Sequence, residues 1–328
     1  MEQFKWLALF ILAMIGFAGI SGLFITYQIE INTAQERIKS LQSQVIETAC
    51  GPIEMAKTGS GSPVLVIHGA MGGFDQGLDL ADTFIDKNYQ AIAVSRAGYL
   101  RTPLPAEASI NQQADAYACL LDILGLQKIN VFATSAGATS AIRFAARYPE
   151  RVAGLVLLSP AAPGDVRVGT PPKALMEGLM GSDFVFWSLK QFFRPFMLKM
   201  VGVADGFTLT AQMEAEVEVT LASTLPSQER VKGMIFDSYT SAPDFYEEIS
   251  ERSPYPLSNI KIPVLVINAL DDPLAVPKNV RGLAEKLPDA RLYLVPDGGH
   301  LLLGHSDEVK AEITRFLNKT MADESQYP

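Results

Sequence analysis

The first hydrophobic pattern along the chain is unbroken. Residues 6–27 read WLALFILAMIGFAGISGLFITY without one charged side chain. At about 1.5 Å of rise per residue, such a helix spans roughly the 30 Å hydrocarbon core of a bilayer. Trp6 and Tyr27 stand at its two ends, where amphipathic rings prefer the headgroup zone. Two other uses of the stretch compete. A cleaved signal peptide would take residues 6–18 as its apolar region and Gly19-Ile20-Ser21 as its cleavage site, but Leu23, Phe24 and Ile25 carry the run beyond that point. A buried core helix is disfavoured by the lack of any polar face. Residues 1–29 are therefore expected to form a membrane anchor. Lys5 flanks the span closely, whereas Arg37 and Lys39 lie some ten residues past its other end. This bias predicts a single-pass signal anchor with the rest of the chain on the non-cytoplasmic side.

Beyond the anchor, Ile31, Ala34, Ile38, Leu41 and Val45 recur at spacings of three and four. Two heptads are too few for a coiled coil, so residues 30–50 are expected to form a helical stalk. A homodimer zipper through the same stripe is the alternative.

From Pro52 the period changes. The runs PVLVI (63–67), AIAVS (91–95), INVFAT (129–134), VAGLVLLS (152–159), PVLVIN (263–268) and RLYLV (291–295) are nearly continuous in apolar residues. Strands of that kind are buried on both faces. Amphipathic helices are expected near 78–87, 110–124, 136–147, 278–287 and 306–318. The alternation predicts an α/β fold with a mostly parallel sheet, over 51–160 and 259–328. Between them, residues 161–258 hold no convincing buried strand. Segments such as ALMEGLM and DFVFWSLKQFFRPFMLKM, flanked by AAPGD (161–165) and SPYPLSN (253–259), predict a helical cap. An insertion after a strand's C-terminal end lands on the ligand side of an open parallel sheet.

Composition removes several function classes. The formal charge is −9 over 328 residues with no basic run, so a nucleic-acid partner is not expected. Cys50 and Cys119 are the only cysteines. They form no CxxC or Cys/His cluster, so structural zinc and a disulfide scaffold are both set aside. No metal or organic cofactor is expected. The three histidines, His68, His300 and His305, bound any imidazole mechanism.

Three strand ends carry the chemistry. INVFAT runs straight into Ser135-Ala136-Gly137 and a helix. A strand–turn–helix of this kind needs small residues around the serine, lifts its Oγ above the sheet and turns the Ala136 N–H towards a developing oxyanion. After PVLVI comes His68-Gly69-Ala70-Met71-Gly72-Gly73. It lacks the Lys-Ser/Thr of a phosphate cradle and reads as the second half of an oxyanion hole, with Ala70 as donor and His68 bracing the loop. PVLVIN leads to Ala269-Leu270-Asp271-Asp272, and RLYLV to Asp297-Gly298-Gly299-His300. The chain order is thus serine, acid, histidine.

At these residues the chain resembles the α/β-hydrolase superfamily, over roughly 52–317. HGAMGG, SRAGYLRTPLP, the Ser135 turn and GGHLLLGH are similar to capped hydrolases such as meta-cleavage-product hydrolases and lipase-like esterases. The resemblance implies Ser135 as nucleophile, His300 as base and Asp272 as the acid. The family acid usually ends a Gly-x-x-Asp turn, here 269–272. Ala269 departs from that glycine, which leaves Asp271 as the alternative. His305 is the alternative base, read as a surface or capping residue. Dehalogenases and epoxide hydrolases of this fold carry Asp at the serine position.

The implied chemistry is acyl transfer on a small-molecule substrate, a carboxylic ester, thioester or lactone, with a lipophilic acyl group suggested by the Met/Phe-rich cap. Arg96 and Arg101 could instead bind the carboxylate that a C–C bond hydrolase requires, or merely pair with acidic neighbours. A non-catalytic binding protein is the third class.

Overall fold

The computed structural model describes residues 2–164, 166, 169–248 and 255–324. Its elements are α1 (Glu2–Ser40), β1 (Gln44–Ile46), β2 (Ile53–Thr58), β3 (Ser62–Ile67), α2 (Phe74–Phe84), β4 (Tyr89–Val94), α3 (Ile110–Ile123), β5 (Ile129–Thr134), α4 (Gly137–Arg147) and β6 (Val152–Leu158). The cap follows: α5 (Lys173–Met180), α6 (Asp183–Phe192), α7 (Arg194–Met200), α8 (Ala211–Ala222), α9 (Val231–Phe236), a π-helical turn (Asp237–Ser241) and α10 (Ala242–Glu248). The chain then returns through β7 (Val264–Ala269), α11 (Pro277–Lys286), β8 (Ala290–Val295) and α12 (Ser306–Glu324). Of the residues expected to flank the cap, Asp165, Ser253 and Pro254 lie outside the described residues.

The sheet order is β1-β2-β4-β3-β5-β6-β7-β8. β3 to β8 pair in parallel, and β2 is antiparallel to both of its neighbours. β5, β6 and β7 are buried at every position, as their apolar runs require. Leu65, Ile67, Tyr117, Ile142 and Val280 pack on one face of the sheet. Val64, Val66, Phe74, Val309 and Ile313 pack on the other. From β3 the chain winds outward to β4, then crosses back to β5 on the other side. The C-terminal ends of β3 and β5 therefore flank the point where the winding reverses, which is where ligands bind in open α/β sheets.

The stalk differs from expectation. Helix continues only to Ser40, and residues 44–46 join the sheet as β1. The stripe expected for a stalk or a dimer zipper is spent inside the chain. Ile31 and Ala34 are buried against Trp187, Val217 and Leu221 of the cap, and Ile38 and Leu41 pack on the α2 side of the core. Two strands carry no sequence signal, because β1 is short and β2 buries a charge. Glu54 is fully enclosed, where Ser95 donates to it at 2.9 Å and Arg101 Nε at 2.7 Å. The cysteines also depart from expectation: Cys50 and Cys119 form a disulfide. Their separation of 69 residues gave no hint of proximity, since β2 and α3 bring them together only in the folded chain.

Candidate active site

Ser135 caps the end of β5 with a φ of +50°, in the left-handed region that disfavours a side chain. The surrounding structure holds this turn. The Ser135 N–H donates to Leu158 O at 3.0 Å, and its carbonyl accepts from Ala161 N at 2.9 Å. At Gly137 a Cβ would collide with the His68 carbonyl, so the turn and the loop after β3 approach as closely as backbone allows. A Cβ on Gly69 would lie 3.1 Å from Ser135 Cβ.

The three strand ends meet. Ser135 Oγ lies 2.9 Å from His300 Nε2, and His300 Nδ1 lies 2.9 Å from Asp272 Oδ2 and 3.1 Å from Oδ1. Asp272 is buried and accepts two further bonds, from Leu274 N and Ala275 N, both at 2.8 Å. Those donors stabilise its charge and fix its plane. Asp271 instead accepts from Gly299 N at 2.8 Å, so it shapes the histidine's loop and does not reach the ring. His305 opens α12 between Asp297, at 2.7 Å, and Glu308. Burial opposes its charge, but those two carboxylates raise its pKa.

His68 lies beneath this site, fully buried. Its Nε2 accepts from the Arg96 N–H at 3.0 Å, which leaves Nδ1–H to donate to Gly69 O at 2.7 Å. Burial and the Arg96 guanidinium hold its pKa well below the ordinary value, so the ring is neutral. Arg96 Nη2 reaches the same Gly69 carbonyl at 2.9 Å. A trans peptide is planar, so anchoring that carbonyl aims the Ala70 N–H the opposite way. Arg96 is itself enclosed, bound to both oxygens of Asp237 at 2.5 and 2.6 Å. Arg101 is engaged by Glu54 and by Ser43 O at 2.7 Å. Both arginines are thus committed to protein partners. Sequence reasoning missed Arg230, which donates to Gly72 O at 2.6 Å and pairs with Asp75. Against the burial that would raise it, Arg230 and Arg37 hold the Asp75 carboxyl down to about 2. No local motif marks Arg230; a lone arginine just before a cap helix becomes legible only when Asp75 faces it.

A cavity of about 380 Å³ opens above Ser135. Its wall includes Ala70, Met71, Leu80, Met200, Val201, Val219, Leu274 and Leu301, with Asp79, Asp82 and Glu216 among its polar groups. Among the described residues no Lys or Arg lines it. Burial pushes the Asp79 carboxyl up to about 6, against the pull of Arg37.

Residues 62–305 match the alpha/beta hydrolase fold family. The chain belongs to that family. It is 28% identical over 273 residues to the 2-hydroxy-6-oxononadienedioate/2-hydroxy-6-oxononatrienedioate hydrolase of Burkholderia vietnamiensis, covering 80% of this chain and 89% of that one. It is equally 28% identical over 290 residues to a poly(3-hydroxyalkanoate) depolymerase of Ectopseudomonas oleovorans, covering 86% and 92%. An alpha/beta hydrolase fold protein from Nakamurella multipartita superposes with a TM-score of 0.66 at 28% identity, covering 84% and 98%. The capped α/β-hydrolase reading is thus met by fold and family together. Among the described residues, α1 is the one helix apolar and long enough to cross a membrane.

Proposed function

We propose that this α/β hydrolase is a membrane-anchored serine esterase for neutral, lipophilic acyl substrates. The observation that carries the reading is the Ser135–His300–Asp272 relay at the floor of a cavity walled mainly by apolar side chains and, among the described residues, by no cation. His300 takes the Ser135 proton as Oγ attacks the ester carbonyl, and Asp272 holds the imidazole in the tautomer that leaves Nε2 free to accept. The Ala70 and Ala136 N–H groups receive the oxyanion; losing one such donor typically costs about 3 kcal/mol of barrier. The alcohol departs with the proton from His300, and water, activated by the same histidine, releases the acid.

The C–C reading has weaker support. A relative named for a dienedioate hydrolase takes, by that name, a dianion. Here Arg96 and Arg101 are engaged elsewhere, and Asp79, Asp82 and Glu216 would repel a carboxylate. The depolymerase relative, named for a polyester, better fits a wall that is apolar with carboxylates and no cation among its described residues. Fluorophosphonate labelling, abolished in Ser135→Ala, tests the nucleophile. Catalytic efficiency on p-nitrophenyl esters should rise from acetyl to hexanoyl. Labelling that persists at another serine, or faster cleavage of a vinylogous diketone acid than of any ester, would overturn the proposal.

The same reading keeps α1 as an uncleaved anchor and puts the catalytic domain on the non-cytoplasmic side. Cleavage near Gly19–Ser21 would leave Leu23, Phe24 and Ile25 on a helix whose continuation packs on the cap through Ile31. The Cys50–Cys119 bridge suits an oxidising compartment.

A further inference from the structure

We infer that the cap carries a second membrane contact: the aromatic face of α6 and α7 seats on the surface of the bilayer that holds α1. The inference rests on α1 being a retained anchor. Tyr27, at the end of the apolar span, packs edge-on against Phe184 at 5.2 Å and Trp187 at 5.6 Å between ring centroids. One turn further, Glu30 binds Lys190 at 3.3 Å and Gln191 at 2.7 Å. Three residues of α1, about 4.5 Å of rise, thus meet seven of α6, about 10 Å. Phe184, Trp187, Lys190 and Gln191 of α6 all meet α1 within one turn of Tyr27. If α1 runs along the bilayer normal, α6 sits close to the depth of Tyr27, where aromatic rings favour the interface.

The face that α6 turns outward at that level is apolar. Phe186 and Trp187 are buried inwards, whereas Phe184 is 44% and Phe192 60% exposed. The neighbouring Phe193, at 56%, and Phe196, at 47%, extend the patch into α7. Four exposed phenylalanines close together are costly in water but match an amphipathic helix lying in a headgroup layer. The nearby cations are answered by carboxylates. Lys190 pairs with Glu30, Arg194 with Glu214 and Glu218, and Lys199 with Asp205 at 3.4 Å. A zwitterionic surface therefore suffices, and the contact is hydrophobic rather than electrostatic. It fixes the cap, and with it the cavity, at a set angle to the lipid.

The chain's two cysteines are bridged, so a single introduced cysteine can be labelled selectively with an environment-sensitive NBD probe. Full-length Phe196→Cys, Phe192→Cys, Ile15→Cys and Ile123→Cys would each be placed in phosphatidylcholine nanodiscs. Spin-labelled lipid then quenches with the nitroxide either near the headgroup or deep in the chains. Parental hydrolysis of a soluble p-nitrophenyl ester checks that each variant is folded. The expected result is a blue-shifted probe at 196 and 192, quenched by roughly half by the shallow nitroxide. The probe at 15 is quenched by the deep one, and that at 123, on the opposite side of the sheet, by neither. Quenching at 15 with water-like emission at 196 and 192 overturns the docking face and leaves the anchor standing. No quenching at 15 removes the anchor and the docking with it. A blue shift at 196 without lipid quenching means that a second copy of the chain covers the face, which also overturns the proposal.

Discussion

His68→Phe separates the aiming of the oxyanion loop from the proton relay. The substitution keeps a ring against Tyr99, which meets His68 edge-on at 4.6 Å, but removes both nitrogens. Losing Nε2 strands the Arg96 N–H in a buried place, at a cost of about 1–3 kcal/mol, and losing the Nδ1 donor removes about 1 kcal/mol more. Stability should therefore fall by roughly 2–4 kcal/mol. The Gly69 carbonyl keeps Arg96 Nη2, so the Gly69–Ala70 peptide is loosened rather than freed. The loss in kcat should be about tenfold, bounded near a hundredfold by the full loss of one oxyanion donor, with KM little changed. The pH dependence has a definite sign. The pKa of His68 is lowered in the fold, so its contribution is fully present above the unfolded value of 6.5 and is lost as pH falls below it. Urea unfolding of both proteins in detergent from pH 5 to 8 should show the gap between them narrowing towards acid. Destabilisation with kcat held within twofold would refute the peptide-aiming argument, and a gap that widens at low pH would refute the neutral ring.

Asp272→Asn should lower kcat by about ten-thousandfold through the wrong imidazole tautomer, whereas Asp271→Asn, whose amide oxygen can still accept from Gly299 N, should cost only a few-fold; equal effects in steady-state assays would move the acid elsewhere. Asp79→Asn should stabilise the protein by about 1–3 kcal/mol above pH 7. Burial raises that carboxyl from 3.8 to about 6, so its penalty is absent below the lower value and complete above the upper, and thermal midpoints across that range decide it. Replacing Cys50 and Cys119 together by Ser should cost roughly 4 kcal/mol by loop entropy. Thiol counting on native membranes should find neither cysteine free, and two reactive thiols would speak against an oxidising compartment.

The legible parts of the molecule were those with a local cause. β3 to β7 announce themselves because a strand covered on both faces has no choice but a continuous apolar run. β8, expected to be buried likewise, lies at the sheet edge and is only partly buried along most of its length. Ser135, Asp271–Asp272 and His300 each follow such a run directly, so their convergence follows from a parallel sheet whose strands end on one side. The acid pair could not be resolved in the sequence, because two adjacent aspartates differ only in which way each Cβ points. The structure separates them by partner, Asp272 to His300 and Asp271 to Gly299. β2 was hidden by Glu54, a buried charge tolerable only because Ser43, Ser95 and Arg101 close around it. The stalk misled because its stripe at spacings of three and four is equally the signature of a helix packing on its own domain.

What no local pattern could reveal is how the cap is tied to the catalytic loops. Gly202, between α7 and α8, accepts the His300 N–H through its carbonyl at 2.9 Å, and a Cβ there would collide with His300 itself. Arg230 holds Gly72 at the end of the loop after β3, the proposed oxyanion loop. Asp237 holds Arg96, and through it Gly69 at the loop's start. Ser241 bonds Thr139 at 2.9 Å, in the first turn of the helix behind Ser135. Asp237 and Ser241 bound one π-helical turn, a widened geometry that recurs at functional sites and here lets one turn of the cap address both the loop after β4 and the first turn of α4. A lid that only excluded water could be loosened at the expense of KM alone. Under the proposed mechanism each of these bonds instead ends on a residue that positions the relay or the oxyanion hole, so loosening the cap would degrade the transition-state geometry itself, and its cost should fall on kcat.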